Sequence, residues 1–244
     1  MRCHPASAEM AVVLAAHGDR GAGLTNSALL SHRQVLDDTK CFANVGAGVL
    51  KGEPALEDAL AAAEASSASR IAIYPFFMAD GFFVRTRLAE RVAGANLTKR
   101  WEIFPPLGVD PGLPALMLDH AEAAAKGAGF AAATSTLLLA GHGSQLGPAS
   151  ADATRATAAA IKEANVFADV VSAFLEEPPS IEDALRVARG PVVVSGFFSG
   201  EGLHAGDDVP DAIAKSGATA IYAGPIGRDR SISDLIFRRL NTAR

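Results

Sequence analysis

What this chain lacks narrows its class first. It holds two cysteines, Cys3 and Cys41, in 244 residues. Two are too few for a disulfide scaffold or a cysteine-rich zinc site. They do not form a C-x-x-C pair, so both are expected to be ordinary thiols. No apolar run approaches the roughly 20 residues a membrane span needs. The first ten residues, MRCHPASAEM, carry one arginine but no apolar stretch of the kind a signal peptide requires. A reducing, cytoplasmic setting without a membrane partner is therefore expected. Basic excess is missing as well: the formal net charge is −5. Nucleic acid, which demands a positive stripe, is not expected as a partner. Neither G-x-x-x-x-G-K-[ST] nor G-x-G-x-x-G occurs, so no nucleotide-phosphate loop is expected. A G-x-S-x-G elbow is absent around Ser144 and Ser195, which argues against a serine hydrolase. Low charge (20%) with 49% hydrophobic residues excludes a disordered chain.

What is present alternates. Apolar runs at 11–16, 42–49, 70–77, 101–105, 136–141, 169–175, 191–198 and 219–223 read as strands. Most are continuous rather than alternating, the pattern of strands buried on both faces in parallel sheets. Segments with helical spacing lie between them, among them 54–66, 111–126, 150–164 and 181–188. Strand–helix alternation implies an α/β fold of open parallel sheets with helices on both faces. Ligands in such folds sit beyond the carboxyl ends of the strands, so the residues just after each strand matter most.

The chain repeats itself. VVLAAHGDRG at 12–21 matches LLLAGHGSQLG at 137–147, with His17 and His142 lying 125 residues apart. The same offset sets Pro54-Ala55-Leu56-Glu57-Asp58 on Pro179-Ser180-Ile181-Glu182-Asp183. Phe76-Phe77-Met78-Ala79-Asp80-Gly81 matches Phe197-Phe198-Ser199-Gly200-Glu201-Gly202, and Pro106-Leu107-Gly108-Val109-Asp110 matches Pro225-Ile226-Gly227-Arg228-Asp229. Four blocks in one order indicate duplication. Two tandem lobes are expected, 1–130 and 131–244, each a four-stranded parallel sheet, joined by a linker near 127–135.

Duplication makes each half a control for the other. The strand-end His-Gly is shared, so a structural role would explain it equally well. The next positions differ. Glu176 follows a strand of the second half, and its counterpart is Lys51; His204 has Phe83 as its counterpart. Only the second half offers His142, Glu176 and His204 at three strand ends that lie about 5 Å apart laterally. Imidazole and carboxylate suit a first-row divalent ion such as Fe, Co, Ni or Zn. Asp208 and Pro210 read as a helix start, and Glu177, Asp207 and Glu201 as solvated. A histidine phosphatase would carry Arg immediately before the His, whereas Ala16 and Gly141 stand there.

The strand-HGS start, the A-F-L-E-x-x-P-P-S-I segment and the F-F-x-x-G-x-H-x-x-x-D-V-P segment together resemble the sirohydrochlorin cobaltochelatase/ferrochelatase family. These are class II, ATP-independent tetrapyrrole chelatases, and the resemblance covers nearly the whole chain in the long, duplicated form. It implies insertion of Co²⁺ or Fe²⁺, with Ni²⁺ also compatible, into sirohydrochlorin, towards cobalamin or sirohaem. It implies no cofactor beyond that substrate metal. His142 would be the principal base and ligand, His204 would stand opposite, and Glu176 would add charge and orient the cation. Gly143, Ser144, Gly202, Leu203 and His17 would contact the substrate. The position after His-Gly-Ser, often arginine in the family, is Gln145, while the first half has Arg20. The substrate is a polycarboxylate, for which Arg20, Arg85, Arg87, Arg155 and Arg228 are candidate cations, each expected to be solvated. Phe82 and Phe83 would either pack on the macrocycle or join the core, with the core expected. A monomer or a homodimer fits. The alternative function is a non-catalytic metal or tetrapyrrole carrier.

Overall fold

The computed structural model describes residues 2–19, 26–144, 147–200, 202 and 204–242, with His204 described by its backbone only. Eight strands form two wholly parallel sheets. The first, in order β2-β1-β3-β4, uses β1 (Met10–Ala16), β2 (Asn44–Val49), β3 (Arg70–Pro75) and β4 (Arg100–Ile103). The second, in order β6-β5-β7-β8, uses β5 (Thr136–Gly141), β6 (Asp169–Phe174), β7 (Val192–Gly196) and β8 (Ala220–Pro225). The two central strands, MAVVLAA and TLLLAG, are buried at every position, as continuous apolar runs require. Strands β2, β6 and β8 are half-buried at several positions, and β4, RWEI, is an exposed edge.

Backbone bonding repeats the duplication residue for residue. Leu50 N–H donates to Ala16 O and Leu175 N–H to Gly141 O; Phe76 N–H donates to Ala15 O and Phe197 N–H to Ala140 O, both at 2.7 Å. Both X-Pro cis bonds, Glu53-Pro54 and Pro178-Pro179, fall at matching positions. Next to them Val49 N–H reaches Pro54 O and Phe174 N–H reaches Pro179 O, each at 2.9 Å.

Helices cover both faces of each sheet, as expected. One compact unit comprises 1–110 with 230–244, and the other 111–229. The spatial units therefore differ from the sequence halves 1–130 and 131–244. Helix α4 (Leu113–Gly127) ends the first repeat but packs in the second unit against α5 (Ala149–Lys162), β7 and β8. Helix α8 (Ser231–Asn241) ends the second repeat but packs in the first unit against α1 (Ser27–Asp38). There His32 Nδ1 meets Ser233 Oγ at 2.7 Å in the buried interior. The opposite faces are covered by α2 (Leu56–Ala65) and α3 (Ala89–Ala93) in the first unit, and by α6 (Ile181–Val187) and α7 (Val209–Ser216) in the second.

Cys3 and Cys41 form a disulfide, with Cα atoms 5.2 Å apart, which overturns the expectation of two ordinary thiols. The cause is topological. Parallel neighbours begin side by side, so the segments leading into β1 and β2 converge, and Ala43 N–H donates to Met10 O. Cysteine usage consequently gives no support for a reducing compartment. Among the described residues no helix is long and apolar enough to cross a membrane.

Candidate metal centre

His142 follows β5 directly, and Glu176 lies two residues past β6. Pairing of these strands runs beyond their ends: Glu176 N–H donates to His142 O at 3.0 Å. That backbone bond sets the two side chains together, with His142 Nδ1 3.6 Å from Glu176 Oε2. Nδ1 also lies 3.0 Å from Gly143 O, which can only accept. A neutral ring in this pose carries its hydrogen on Nδ1 and its lone pair on Nε2. Both side chains are open to solvent, at 38% and 45% exposure.

The turn that carries His142 is gripped from below. Gly143 has φ of +71°, and a Cβ there would lie 2.8 Å from Glu177 Cγ. Glu177 Oε2 accepts from Ser144 N–H at 3.1 Å, and its Oε1 accepts from Arg155 at 2.8 Å. Arg155 stacks over Phe174, 4.8 Å from the ring centroid, and lies 3.6 Å from Asp152. Glu177 reads from the sequence as solvated, and the structure corrects this: its side chain is only 20% exposed, whereas Arg155 is exposed as expected, at 47%. A signal for them existed. Their counterparts in the first half are Gly52 and Leu30, so the ion pair is confined to the half that carries Glu176.

Beyond β7, a π-helical turn spans His204–Asp208 and runs into α7. The first lobe has a π-helical segment that starts at the matching residue, Phe83–Leu88. His204 is thus placed by its backbone just past the third strand end, and its side chain lies outside the described residues. Gly202 O accepts from Ala205 N–H and Gly206 N–H, which closes that turn. Asp207 and Asp208 are exposed. Leu203, Glu201, Gln145 and Arg20 lie outside the described residues. Among the described residues no three His, Cys, Asp or Glu side chains gather as a metal-holding group. The pair brought together is His142 with Glu176.

The first lobe repeats the turn with different chemistry. His17 Nδ1 lies 3.2 Å from Gly18 O, and Lys51 N–H donates to His17 O at 3.0 Å. Lys51 is exposed where Glu176 stands in the other lobe. Phe83 sits edge-on to His17, with centroids 4.6 Å apart, and Phe82 sits edge-on to Phe83. At 57% and 41% exposure, Phe82 and Phe83 are surface residues and not the expected core. Arg87 lies over Phe82 and pairs with Glu90, Arg85 pairs with Asp80 at 2.9 Å, and Arg228 is exposed.

The comparisons agree with this architecture. A family model described as CbiX matches the chain twice, over 11–124 and 136–243. The probable sirohydrochlorin cobaltochelatase of Halobacterium salinarum is 20% identical over 94% of this chain and 90% of its own length. A solved CbiX, described as the terminal enzyme for biosynthesis of siroheme in denitrifying bacteria, is 31% identical with a TM-score of 0.77, covering 96% of this chain and 99% of its own. SirB from Bacillus subtilis, solved with Fe³⁺, has a TM-score of 0.80 over 95% of this chain and 94% of its own. Its 17% identity makes that a likeness of fold.

Proposed function

Because the chain belongs to the CbiX family along both of its repeats, we propose that it is a sirohydrochlorin chelatase that inserts Co²⁺ or Fe²⁺ without ATP. The observation that carries this reading is the His142–Glu176 pair at adjacent strand ends of one lobe only, with Lys51 at the equivalent place in the other. The names of the Halobacterium relative and of the solved CbiX point the same way.

The chemistry is an exchange: two pyrrole N–H protons leave the macrocycle as one divalent cation enters. Glu176 supplies the negative charge that draws the cation. The Nε2 lone pair of His142 serves as a nitrogen ligand, and then as a base for a departing proton. Imidazole is the usual side chain for such transfer near neutral pH. His204 is assigned to the same site as a second imidazole from the third strand end. Gly143, Ser144 and Gly202 are assigned to substrate contact, as is Leu203 on the family resemblance alone. Solvent-open ligands hold a cation loosely enough to release it. The lack of a phosphate-loop motif in the sequence supports a reaction without a nucleotide.

The test is the absorbance change of sirohydrochlorin on adding Co²⁺ or Fe²⁺ to the purified chain without ATP. Wild type is expected to convert it, His142→Ala to lose about 100-fold or more in rate, and His17→Ala to stay within a few-fold of wild type. Spectra unchanged by either ion reject the activity. Tight macrocycle or metal binding without turnover makes the protein a carrier. Equal damage from the two histidine variants rejects assignment of the chemistry to the second lobe.

A further inference from the structure

We propose that Glu177, locked by Arg155, is a positioning residue for the metal site: it grips the His142–Ser144 turn and so fixes the His142 ring against Glu176. The inference deepens the chelatase reading and rests on it for the identity of the metal substrate. Its physical basis is the geometry of the turn itself.

Glu176 and Glu177 are consecutive and divide the work. Glu176 faces His142, while Glu177 accepts the Ser144 N–H at 3.1 Å. The turn is thus held on both sides of Gly143, by Glu176 N–H on His142 O and by Glu177 Oε2 on Ser144 N–H. Rotation of the turn would carry the imidazole with it, since His142 Nδ1 is itself tied to Gly143 O. Arg155 makes the grip stiff. Its guanidinium is set by the Phe174 face and by Asp152 before it meets Glu177, so a charge-assisted bond forms at little further ordering cost. Both Glu177 oxygens are engaged, one by Arg155 and one by Ser144 N–H, so Glu177 orients a ligand and is not one itself.

The first lobe supplies the control. It has Gly52 and Leu30 at these positions. Its turn is held instead by a local clasp: Asp19 N–H to Asn26 Oδ1 at 2.8 Å, Asn26 N–H to Asp19 Oδ2 at 3.0 Å, and Asn26 Nδ2 to Glu53 O at 2.8 Å. Both lobes hold a turn, but among the described residues only the one with Glu176 uses an Arg–Glu brace anchored on a separate helix. Residues that orient metal ligands typically matter 10–100-fold to metal affinity or activity.

The experiment titrates Co²⁺ alone into the full chain by calorimetry, and separately measures kcat and both KM values. Glu177→Ala is expected to weaken Co²⁺ binding and raise its KM about tenfold. The KM for sirohydrochlorin should stay within twofold, and the thermal midpoint should fall by no more than about 4 °C. Glu177→Gln keeps one acceptor oxygen and should recover much of the loss. Arg155→Ala should mimic Glu177→Gln, and Glu177→Ala/Arg155→Ala should be no worse than Glu177→Ala alone. Unchanged Co²⁺ affinity in Glu177→Ala overturns the proposal. So does Glu177→Gln as weak as Glu177→Ala with Arg155→Ala normal, because that pattern means direct action of charge on the cation. The Co²⁺ titration reads the brace even if wild type shows no turnover, whereas intact wild-type turnover beside an unaffected Glu177→Ala sinks the brace alone.

Discussion

Gly18 and Gly143 occupy the same place in the two lobes, yet replacing each with alanine should do different things. Both have positive φ, +103° and +71°, where an L side chain costs about 1–2 kcal/mol. The surroundings then diverge. The new methyl at 143 would meet Glu177 Cγ at 2.8 Å and Phe174 Cβ at 3.1 Å, both side-chain atoms. Glu177 can swing away at the loss of its bonds to Ser144 and Arg155. On a partly exposed side chain these are worth about 1 kcal/mol together. Gly143→Ala should therefore cost about 2–3 kcal/mol in stability. It should also release the brace and weaken Co²⁺ binding about tenfold. At 18 the methyl would fall 2.0 Å from Lys51 O, a backbone atom of the strand extension that pairs with His17. Nothing there can rotate aside, so the backbone must move, at about 4 kcal/mol or more. The metal site of the second lobe should be spared. Urea unfolding of each variant, combined with Co²⁺ titration well below the unfolding midpoint, checks both columns. The reasoning fails if Gly143→Ala is the less stable of the two. It fails equally if Gly18→Ala weakens Co²⁺ binding as much as Gly143→Ala does.

Two further outcomes are expected. Cys3 and Cys41 are 38 residues apart, and a cross-link closing a loop of that size stabilises by up to about 4 kcal/mol through the unfolded chain. Reduction, or Cys3→Ser/Cys41→Ser, should lower the urea midpoint of the first unit accordingly; two titratable thiols in native, unreduced protein would refute the bond. Burial raises the Tyr74 and Tyr222 phenols above their ordinary range, and their hydroxyls have no hydrogen-bond partner among the described residues. The unfolded chain then loses these protons at a pH where the folded chain still holds them, so stability falls as pH rises above about 10. Tyr74→Phe and Tyr222→Phe should flatten that alkaline decline and leave stability at pH 7 equal or higher, as pH-dependent urea curves would show.

The sheets were legible because their chemistry is local. TLLLAG and MAVVLAA can only be doubly buried strands, and the fourfold block match located both His-Gly turns. The asymmetry of Glu176 against Lys51 likewise needed only alignment of the halves. What escaped the sequence was set by tertiary approach. The pairing of Cys3 with Cys41 depends on β1 and β2 starting together. Glu177 reads as one of two adjacent acids until α5 brings Arg155 over Phe174. Phe82 and Phe83 follow a buried Phe76 in a similarly apolar stretch, but they sit where the π-helical segment beyond the strand begins and face solvent.

The assignment of α4 and α8 to units outside their own repeats bears on the order in which the chain can fold as it is synthesised. The second unit is one contiguous stretch, 111–229, and has all its elements once residue 229 has emerged. The first unit is begun earlier but stays open, because Ile232, Leu235, Ile236 and Phe237 of its last helix are made only after the whole of the second unit. Its His32–Ser233 contact joins residues 201 positions apart. The lobe translated first is thus the lobe completed last, which reverses the usual N-terminal-first order. Until then its unfilled flank is the exposed apolar surface that a ribosome-bound chaperone would meet.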